Sequence, residues 1–313
     1  MCERLQGGIG KTVVSSWLIH QSSVRQAFKK IVWVTLGQTP NINHLQRIIH
    51  EQLVPNTSWD KDSPDDIKKQ RLTEAFYGQD VLLVLDDLWE IDHEQALNFV
   101  DQTTASKVLV SSRVRATLVG ATGSTKDLAA DDSTVVVQIA LPDETQAVNM
   151  LLTTAGMKAD QSAPKEALEI VKFCKMLPLA ISIAGQLVKD LELDATEDWD
   201  GIVTVLKDEF ADGSQRSVEE TVIKTSLKSI SGSHKENVTA LFKCLALLPE
   251  DTIVPLDILA MLFEAGCSTE EKPVQKPRIM MIRRWLKVLL ERSLVLGTVD
   301  RISLHDSKHD ISG

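Results

Sequence analysis

The sequence has no long apolar run, and nowhere does it approach the roughly 18 consecutive apolar residues that a membrane-spanning helix needs. Its N-terminus also lacks the continuous apolar block of a secretory signal. The four cysteines are far apart and have neither the paired spacing of a disulfide framework nor that of a metal site (Cys2, Cys174, Cys244 and Cys267). These absences predict a protein of the reduced cytoplasm that has no membrane partner.

Positive charge is scarce as well, because 34 lysines and arginines stand against 44 aspartates and glutamates, for a formal net charge of −10. A protein whose main partner is nucleic acid normally carries a basic surface, so we do not expect nucleic acid as the main partner. Internal repeats and low-complexity tracts are also missing from the sequence. What remains is a chain of 313 residues, 43% of them apolar, which is the makeup of a folded protein with two or three domains.

Short β-branched runs alternate with amphipathic segments along residues 1–140, which is the pattern of strands and crossover helices in a parallel sheet. Apolar residues at helical spacing predict helices across 13–28 (Val13, Trp17, Val24, Phe28) and 45–53, and a third helix from Pro64 to Tyr77. The predicted strands are Lys30–Thr35, Val81–Asp87, Lys107–Ser112 and Thr134–Ile139.

After Leu141 the pattern changes to helices. One helix starts at Pro142 and Asp143 and ends at Gly156, and two apolar helices are separated by Pro178. The polar stretch 207–217 is typical of a linker. The chain then ends in a helix followed by two short strand-like pieces, an order that resembles a winged helix.

The segment "GGIGKT" (Gly7 to Thr12) has most features of a phosphate-binding loop. Its glycines let backbone amides turn toward a phosphate, and the helix that starts at Lys11 points its positive end at the same place. Lys11 supplies a cation, and Thr12 offers a hydroxyl to magnesium. The full pattern G-x-x-x-x-G-K-[ST] differs from this segment at its first position, where Leu5 stands.

Two acidic residues end the predicted strand "LLVLDD", where a P-loop nucleotidase needs carboxylates. Asp86 can hold magnesium through water, and Asp87 is placed to polarise an attacking water. We therefore predict an α/β protein with three parts: a P-loop parallel sheet with flanking helices whose first strand is missing or truncated (1–140), a helical subdomain (141–213) and a winged-helix subdomain (214–313).

Seven motifs, in order, give the sequence a wider resemblance. It is similar to the NB-ARC nucleotide-binding switch, a STAND-class P-loop NTPase module of plant disease-resistance proteins and animal apoptosis-protease-activating factors. The motifs are "GGIGKTVV", "FKKIVWVTLGQ", "VLLVLDDLW", "KVLVSSR", "CKMLPLAIS", "CLALLPEDTIVP" and "LHDSKHD". The sequence departs from the family at Met176, where the family has glycine, and at Leu304, where it has methionine.

The resemblance implies a site for ADP or ATP with Mg²⁺. Its magnesium partners would be Thr12 and Asp86, and Asp87 would be the catalytic residue. The nucleotide-binding residues would be Gly7, Gly8, Ile9, Gly10, Lys11, Thr12 and Val13, with Arg113 sensing a γ-phosphate, Pro178 lying against the adenine and His305 reaching the β-phosphate of ADP.

What the resemblance implies for function is a disease-resistance type of molecular switch. ADP would favour a closed state and ATP an open state that can oligomerise, and any ATP hydrolysis would be slow. In the family such a switch controls an N-terminal signalling domain under the command of C-terminal repeats. The expected partners are therefore nucleotide and other protein domains.

Two alternatives remain open. The first is a winged-helix DNA-binding regulator, suggested by five basic residues in and near the last helix (Arg278, Arg283, Arg284, Lys287 and Arg292). The second is a nucleotide-incompetent interaction fragment. In that case "MCERLQ" is too short to supply the strand that enters the phosphate loop, and the chain as written would bind ADP poorly.

Overall fold

A computed structural model describes residues 8–114, 135–157, 163–191, 199–211, 217–248, 253–266 and 279–304. The chain divides into two compact units, Met1–Ile139 and Ala140–Gly313. No helix in these described ranges combines the length and apolar character needed to cross a bilayer.

The first unit is built on a parallel sheet with helices packed against it. Its elements are α1 (Lys11–Ile19), α2 (Ser22–Ala27), β1 (Lys30–Thr35), α3 (Ile42–Leu53), α4 (Asp65–Phe76), β2 (Val81–Leu88), α5 (Ile91–Leu97) and β3 (Lys107–Ser112). The strand order is β1-β2-β3, and both pairings are parallel. All eight residues of β2 are buried, as the near-continuous apolar sequence of a central parallel strand requires.

The outer edge of β1 is protected by a side chain. The amide group of Gln52 on α3 accepts from the Trp33 backbone N–H at 3.0 Å and donates to the Trp33 carbonyl at 2.9 Å. The side chain thus satisfies both backbone groups of Trp33, which an edge strand would otherwise leave unpaired.

Two of the predicted elements are wrong in this unit. The single helix expected across residues 13–28 is two helices, because the His20 ring and the Gln21 amide bond to the carbonyls of Ser16 and Trp17 and end α1. Residues 135–139, the described part of the predicted fourth strand, are irregular, and Val135 and Val137 are 83% and 76% exposed. A β-branched run forms a strand only when a partner strand and a buried face are available to it.

The second unit contains helices and a small antiparallel sheet. Its elements are α6 (Glu144–Thr154), α7 (Lys165–Phe173), α8 (Pro178–Asp190), α9 (Asp200–Ala211), α10 (Val218–Lys228), α11 (Lys235–Ala246), β4 (Val254–Pro255), α12 (Leu256–Gly266), α13 (Ile279–Glu291), β5 (Leu296–Thr298) and β6 (Arg301–Ser303). The sheet has the order β4-β6-β5. One apolar core extends through the helices and reaches Ile302 on β6.

Local sequence signals explain where several of these helices begin. Asp143 and Ser217 each form a capping box, with Gln146 and Glu220 respectively. Pro178 is the first residue of α8, where its missing N–H has no partner to lose. The polar linker predicted at 207–217 is helical up to Ala211. Ile202, Val203 and Leu206 bury one face of α9, and this burial stabilises the helix as far as its polar last turn.

The end of this unit has the predicted order, in which α13 is followed by the antiparallel hairpin of β5 and β6. Its interpretation as a winged helix, and the division of this unit near residue 213, stay predictions.

Candidate nucleotide site

The glycine loop leads directly into α1. Gly8 and Gly10 have φ angles of 74° and 97°, which glycine adopts without strain. Gly10 is the N-cap of α1, and no side chain caps this helix. The first intrahelical bond runs from the Val14 N–H to the Gly10 carbonyl at 2.9 Å. The amides of Lys11, Thr12 and Val13 therefore have no acceptor within the helix and are oriented to bind an anion.

The acidic end of β2 is bonded to the first turn of α1. Thr12 Oγ1 donates to Asp86 Oδ2 at 2.9 Å, and Ser111 Oγ on β3 donates to Asp86 Oδ1 at 2.5 Å. Asp86 is only 1% exposed, and this burial raises the pKa of its carboxyl against the opposing effect of the two hydrogen bonds. Three elements that are distant in sequence thus meet at one carboxylate.

Asp87 lies at an irregularity in the sheet. The register between β2 and β3 shifts between Leu85 and Leu88, and Asp87 has a φ of 55°. Its backbone N–H donates to Ser111 Oγ at 3.0 Å. Such a bulge changes the direction in which a strand residue points, and it places the second acid beside the first.

The carboxylate of Asp87 has two donors. Trp89 Nε1 donates to Oδ2 at 2.8 Å, and Arg113 Nε donates to Oδ1 at 3.1 Å. The Arg113 guanidinium also lies over the Trp89 ring, with its carbon 5.6 Å from the ring centroid.

Lys11 belongs to the same electrostatic cluster. Burial lowers the pKa of its amine, and the charge of Arg113 acts in the same direction, while Asp87 and Asp86 oppose both effects. Two cations and two carboxylates thus surround the start of α1. This donor set fits a nucleotide phosphate with a hard cation, since oxygen ligands suit magnesium and amides with cations suit phosphate.

The structure brings most of the predicted site residues together in the first unit: Gly8, Ile9, Gly10, Lys11, Thr12, Val13, Asp86, Asp87 and Arg113. Gly7 and His305 lie outside the described residues. Pro178 is partly exposed at the start of α8, in the second unit, and its contact with adenine stays a prediction.

Sequence reasoning missed Ser111 and Trp89. Both are part of the motifs given above, as the first serine of "KVLVSSR" and the last residue of "VLLVLDDLW". The signal that could have found Ser111 is topological, because the carboxyl ends of neighbouring parallel strands meet at one edge of a sheet.

Two basic residues of α13, and Arg292 directly after it, have acidic partners. Arg283 pairs with Asp300, and Lys287 lies 3.7 Å from Glu291. Arg292 is buried and pairs with Asp190 at 2.9 Å. These pairs weaken the DNA-binding alternative, which needed the cations free for phosphates.

The family profile of the NB-ARC domain matches residues 6–127. Residues 6–127 belong to the NB-ARC family. This NB-ARC module has the P-loop fold, and it is a nucleotide-binding module. The match covers the glycine loop, both acidic residues of β2 and Arg113.

Relatives extend the similarity beyond the NB-ARC residues. A probable disease resistance protein of Arabidopsis thaliana is 25% identical over 252 residues, which cover 78% of this chain and 27% of the relative. A putative disease resistance protein of the same plant is 25% identical over 326 residues, covering 97% of this chain and 34% of its own length. The chain thus spans between about a quarter and a third of the length of these relatives.

A solved structure supports the α/β fold. It is that of a Signal Transduction ATPase with Numerous Domains (STAND) protein with a tetratricopeptide repeat sensor, from Pyrococcus horikoshii. The TM-score is 0.56 at 13% sequence identity, and the similarity covers 98% of this chain and 38% of that one.

Proposed function

We propose that this chain is the ADP/ATP-dependent switch of a disease-resistance type of signalling protein. The observation that carries the proposal is the hydrogen bond between Thr12 Oγ1 and Asp86 Oδ2, 2.9 Å long. It brings the hydroxyl expected at magnesium and the carboxylate expected at magnesium into contact at the mouth of the glycine loop. An ordinary glycine turn before a helix has no reason to meet an acidic strand end.

Each residue of the cluster then has a role toward a bound nucleotide. The amides of Lys11, Thr12 and Val13 and the Lys11 amine would hold the phosphates, while Thr12 and Asp86 would hold the magnesium ion. Magnesium would neutralise phosphate charge when bound. Arg113 would contact the terminal phosphate of ATP, and Asp87 would orient the attacking water.

The finer features of the proposed switch rest on the sequence resemblance. Pro178 against the adenine and His305 at the β-phosphate would make ADP favour a closed arrangement, because those contacts exist only there. Exchange for ATP would favour an open form able to oligomerise. Hydrolysis would be slow and would reset the switch.

The test is ADP binding by Lys11→Ala, measured by isothermal titration calorimetry with Mg²⁺ present. A charge-assisted bond to phosphate contributes about 1.5 to 3 kcal/mol, so the affinity should fall at least tenfold. Lys29→Ala is the matched control, because Lys29 is an exposed lysine of the same unit that pairs with Asp80 at 3.0 Å. That variant should bind ADP as the parent does.

Equal ADP affinity in the parent chain and in Lys11→Ala would contradict the phosphate-loop assignment. If the parent chain itself shows no ADP binding at millimolar nucleotide, the nucleotide-incompetent alternative is the better description of it.

A further inference from the structure

Asp87, Trp89 and Arg113 form a closed triangle in which each residue contacts the other two. The indole N–H of Trp89 bonds to one carboxylate oxygen of Asp87, and Arg113 Nε bonds to the other. The guanidinium of Arg113 lies over the Trp89 ring. The ion pair is shielded from solvent, since the side chains of Arg113 and Asp87 are 15% and 12% exposed.

This triangle conflicts with the two roles proposed for its charged members. A carboxylate that accepts a proton from water must present an oxygen to that water at hydrogen-bond distance. Oδ1 of Asp87 instead accepts a charge-assisted bond from Arg113, which occupies the oxygen that the water would need. Arg113, in turn, directs its Nε–H toward Asp87 and not toward a phosphate. Separation of the pair would therefore free Oδ1 of Asp87 for the water and Nε of Arg113 for a phosphate.

We propose that Trp89 is a positioning residue that stabilises the Asp87–Arg113 pair and thereby restrains ATP hydrolysis at this site. The proposal rests on the nucleotide function proposed above. Trp89 acts through two contacts, because its N–H fixes the orientation of Asp87 and its ring supports the guanidinium. Arg113 leaves the pair only for an anion that offers a better partner, and the terminal phosphate of a nucleoside triphosphate is such an anion.

The hydrolysis that follows is a simple displacement. The water oxygen bonds to the terminal phosphorus, the bond from that phosphorus to the bridging oxygen breaks, and the diphosphate leaves with the electron pair. Asp87 accepts the proton that the water loses. With a diphosphate, Arg113 has no terminal phosphate to contact and stays paired with Asp87.

The test compares Trp89→Phe with Trp33→Phe in the full chain. Trp33 is the matched control because it is a partly buried tryptophan of the same sheet whose indole N–H also has one partner, Thr35 Oγ1 at 3.2 Å. Phenylalanine keeps an aromatic ring at each position, removes the N–H donor and reduces the ring area by the same amount at both positions. Calorimetric ADP affinity within twofold of the parent establishes that each variant is folded and binds.

Tryptophan fluorescence is the first measurement. Magnesium with a non-hydrolysable ATP analogue should change the emission of the parent and of Trp33→Phe, because Arg113 leaves the indole, whereas ADP should not. Trp89→Phe should lack this difference between analogue and ADP. Arg113→Gln, which keeps the indole but has no cation to move, should lack it too.

Single-turnover hydrolysis is the second measurement. Loss of one supporting hydrogen bond should raise the rate constant of Trp89→Phe about fivefold with little change in KM, and Trp33→Phe should match the parent. A rate that is unchanged or lower, or an analogue-specific emission change that persists in Trp89→Phe, overturns the inference. Intact ADP binding together with either result leaves the proposed function standing, whereas no nucleotide binding by the parent refutes both.

Discussion

Ser111 connects the two acidic residues of the site, and its replacement by alanine should be severe for so small a change. The Ser111 hydroxyl donates to Asp86 Oδ1 at 2.5 Å and accepts from the Asp87 N–H at 3.0 Å. Both bonds are buried, and alanine removes both partners while keeping the fold of the strand. The change therefore leaves a carboxylate oxygen and a backbone N–H without a partner in the interior.

The magnitude follows from these two bonds. A hydrogen bond to a charged group contributes about 1.5 to 3 kcal/mol, and a neutral one about 0.5 to 1.5 kcal/mol. Ser111→Ala should thus lower the free energy of unfolding of the first unit by about 2 to 4 kcal/mol. Ser112→Ala is the matched control, because Ser112 is an equally buried neighbour whose hydroxyl bonds only to backbone groups, among them the Leu88 carbonyl at 2.6 Å. Its cost should be about 1 to 2 kcal/mol.

Hydrogen–deuterium exchange of the β2 peptide measures this cost within the first unit alone. The exchange rate of fully protected amides should rise about 30- to 1,000-fold in Ser111→Ala and clearly less in Ser112→Ala. Equal acceleration in both variants would refute the reasoning, because it would mean that the bond to the Asp86 carboxylate contributes no more than a bond to a carbonyl.

Two further predictions concern the second unit, and urea unfolding followed by circular dichroism tests both. Lys175 is exposed with a φ of 51°, so Lys175→Gly should stabilise the unit by about 0.5 to 1 kcal/mol, and a loss of stability would contradict the assigned backbone conformation. Gly185 lies where α8 meets α6, and an added Cβ would lie 2.8 Å from the Leu151 carbonyl oxygen. Gly185→Ala should therefore cost about 1 to 3 kcal/mol, and a neutral result would show that the two helices can move apart.

The sequence was sufficient for those parts of the fold that depend on local pattern. The strand Val81–Leu88 and its parallel neighbours follow from apolar runs, and the start of α8 follows from a proline. The strand prediction at residues 135–139 is wrong because a strand there depends on tertiary partners and not on the local pattern. A β-branched run has the same local preference in a strand and in an exposed segment, and only tertiary partners decide between them.

Met176 is another position where the sequence shows a difference that only the structure explains. The sequence has methionine where the family that it resembles has glycine, but the sequence alone does not explain why glycine is suited to this position. In the structure Met176 has a φ of 58°, directly after Lys175 at 51°. Two consecutive left-handed residues turn the chain from α7 into α8, and glycine adopts this conformation without the steric cost that methionine carries.

The relative orientation of Asp86 and Asp87 is the part of the site that the sequence predicts least well. Adjacent residues of a regular strand point to opposite faces of a sheet, so Asp86 and Asp87 could not both face the glycine loop from an unbroken β2. The register shift after Leu85 and the left-handed φ of Asp87 resolve this conflict. Ser111 then holds both acids, one by its hydroxyl proton and the other by its oxygen. A β-branched residue at position 87 would resist that backbone conformation, and the chemistry of the site thus depends on a backbone irregularity that the sequence pattern of a strand conceals.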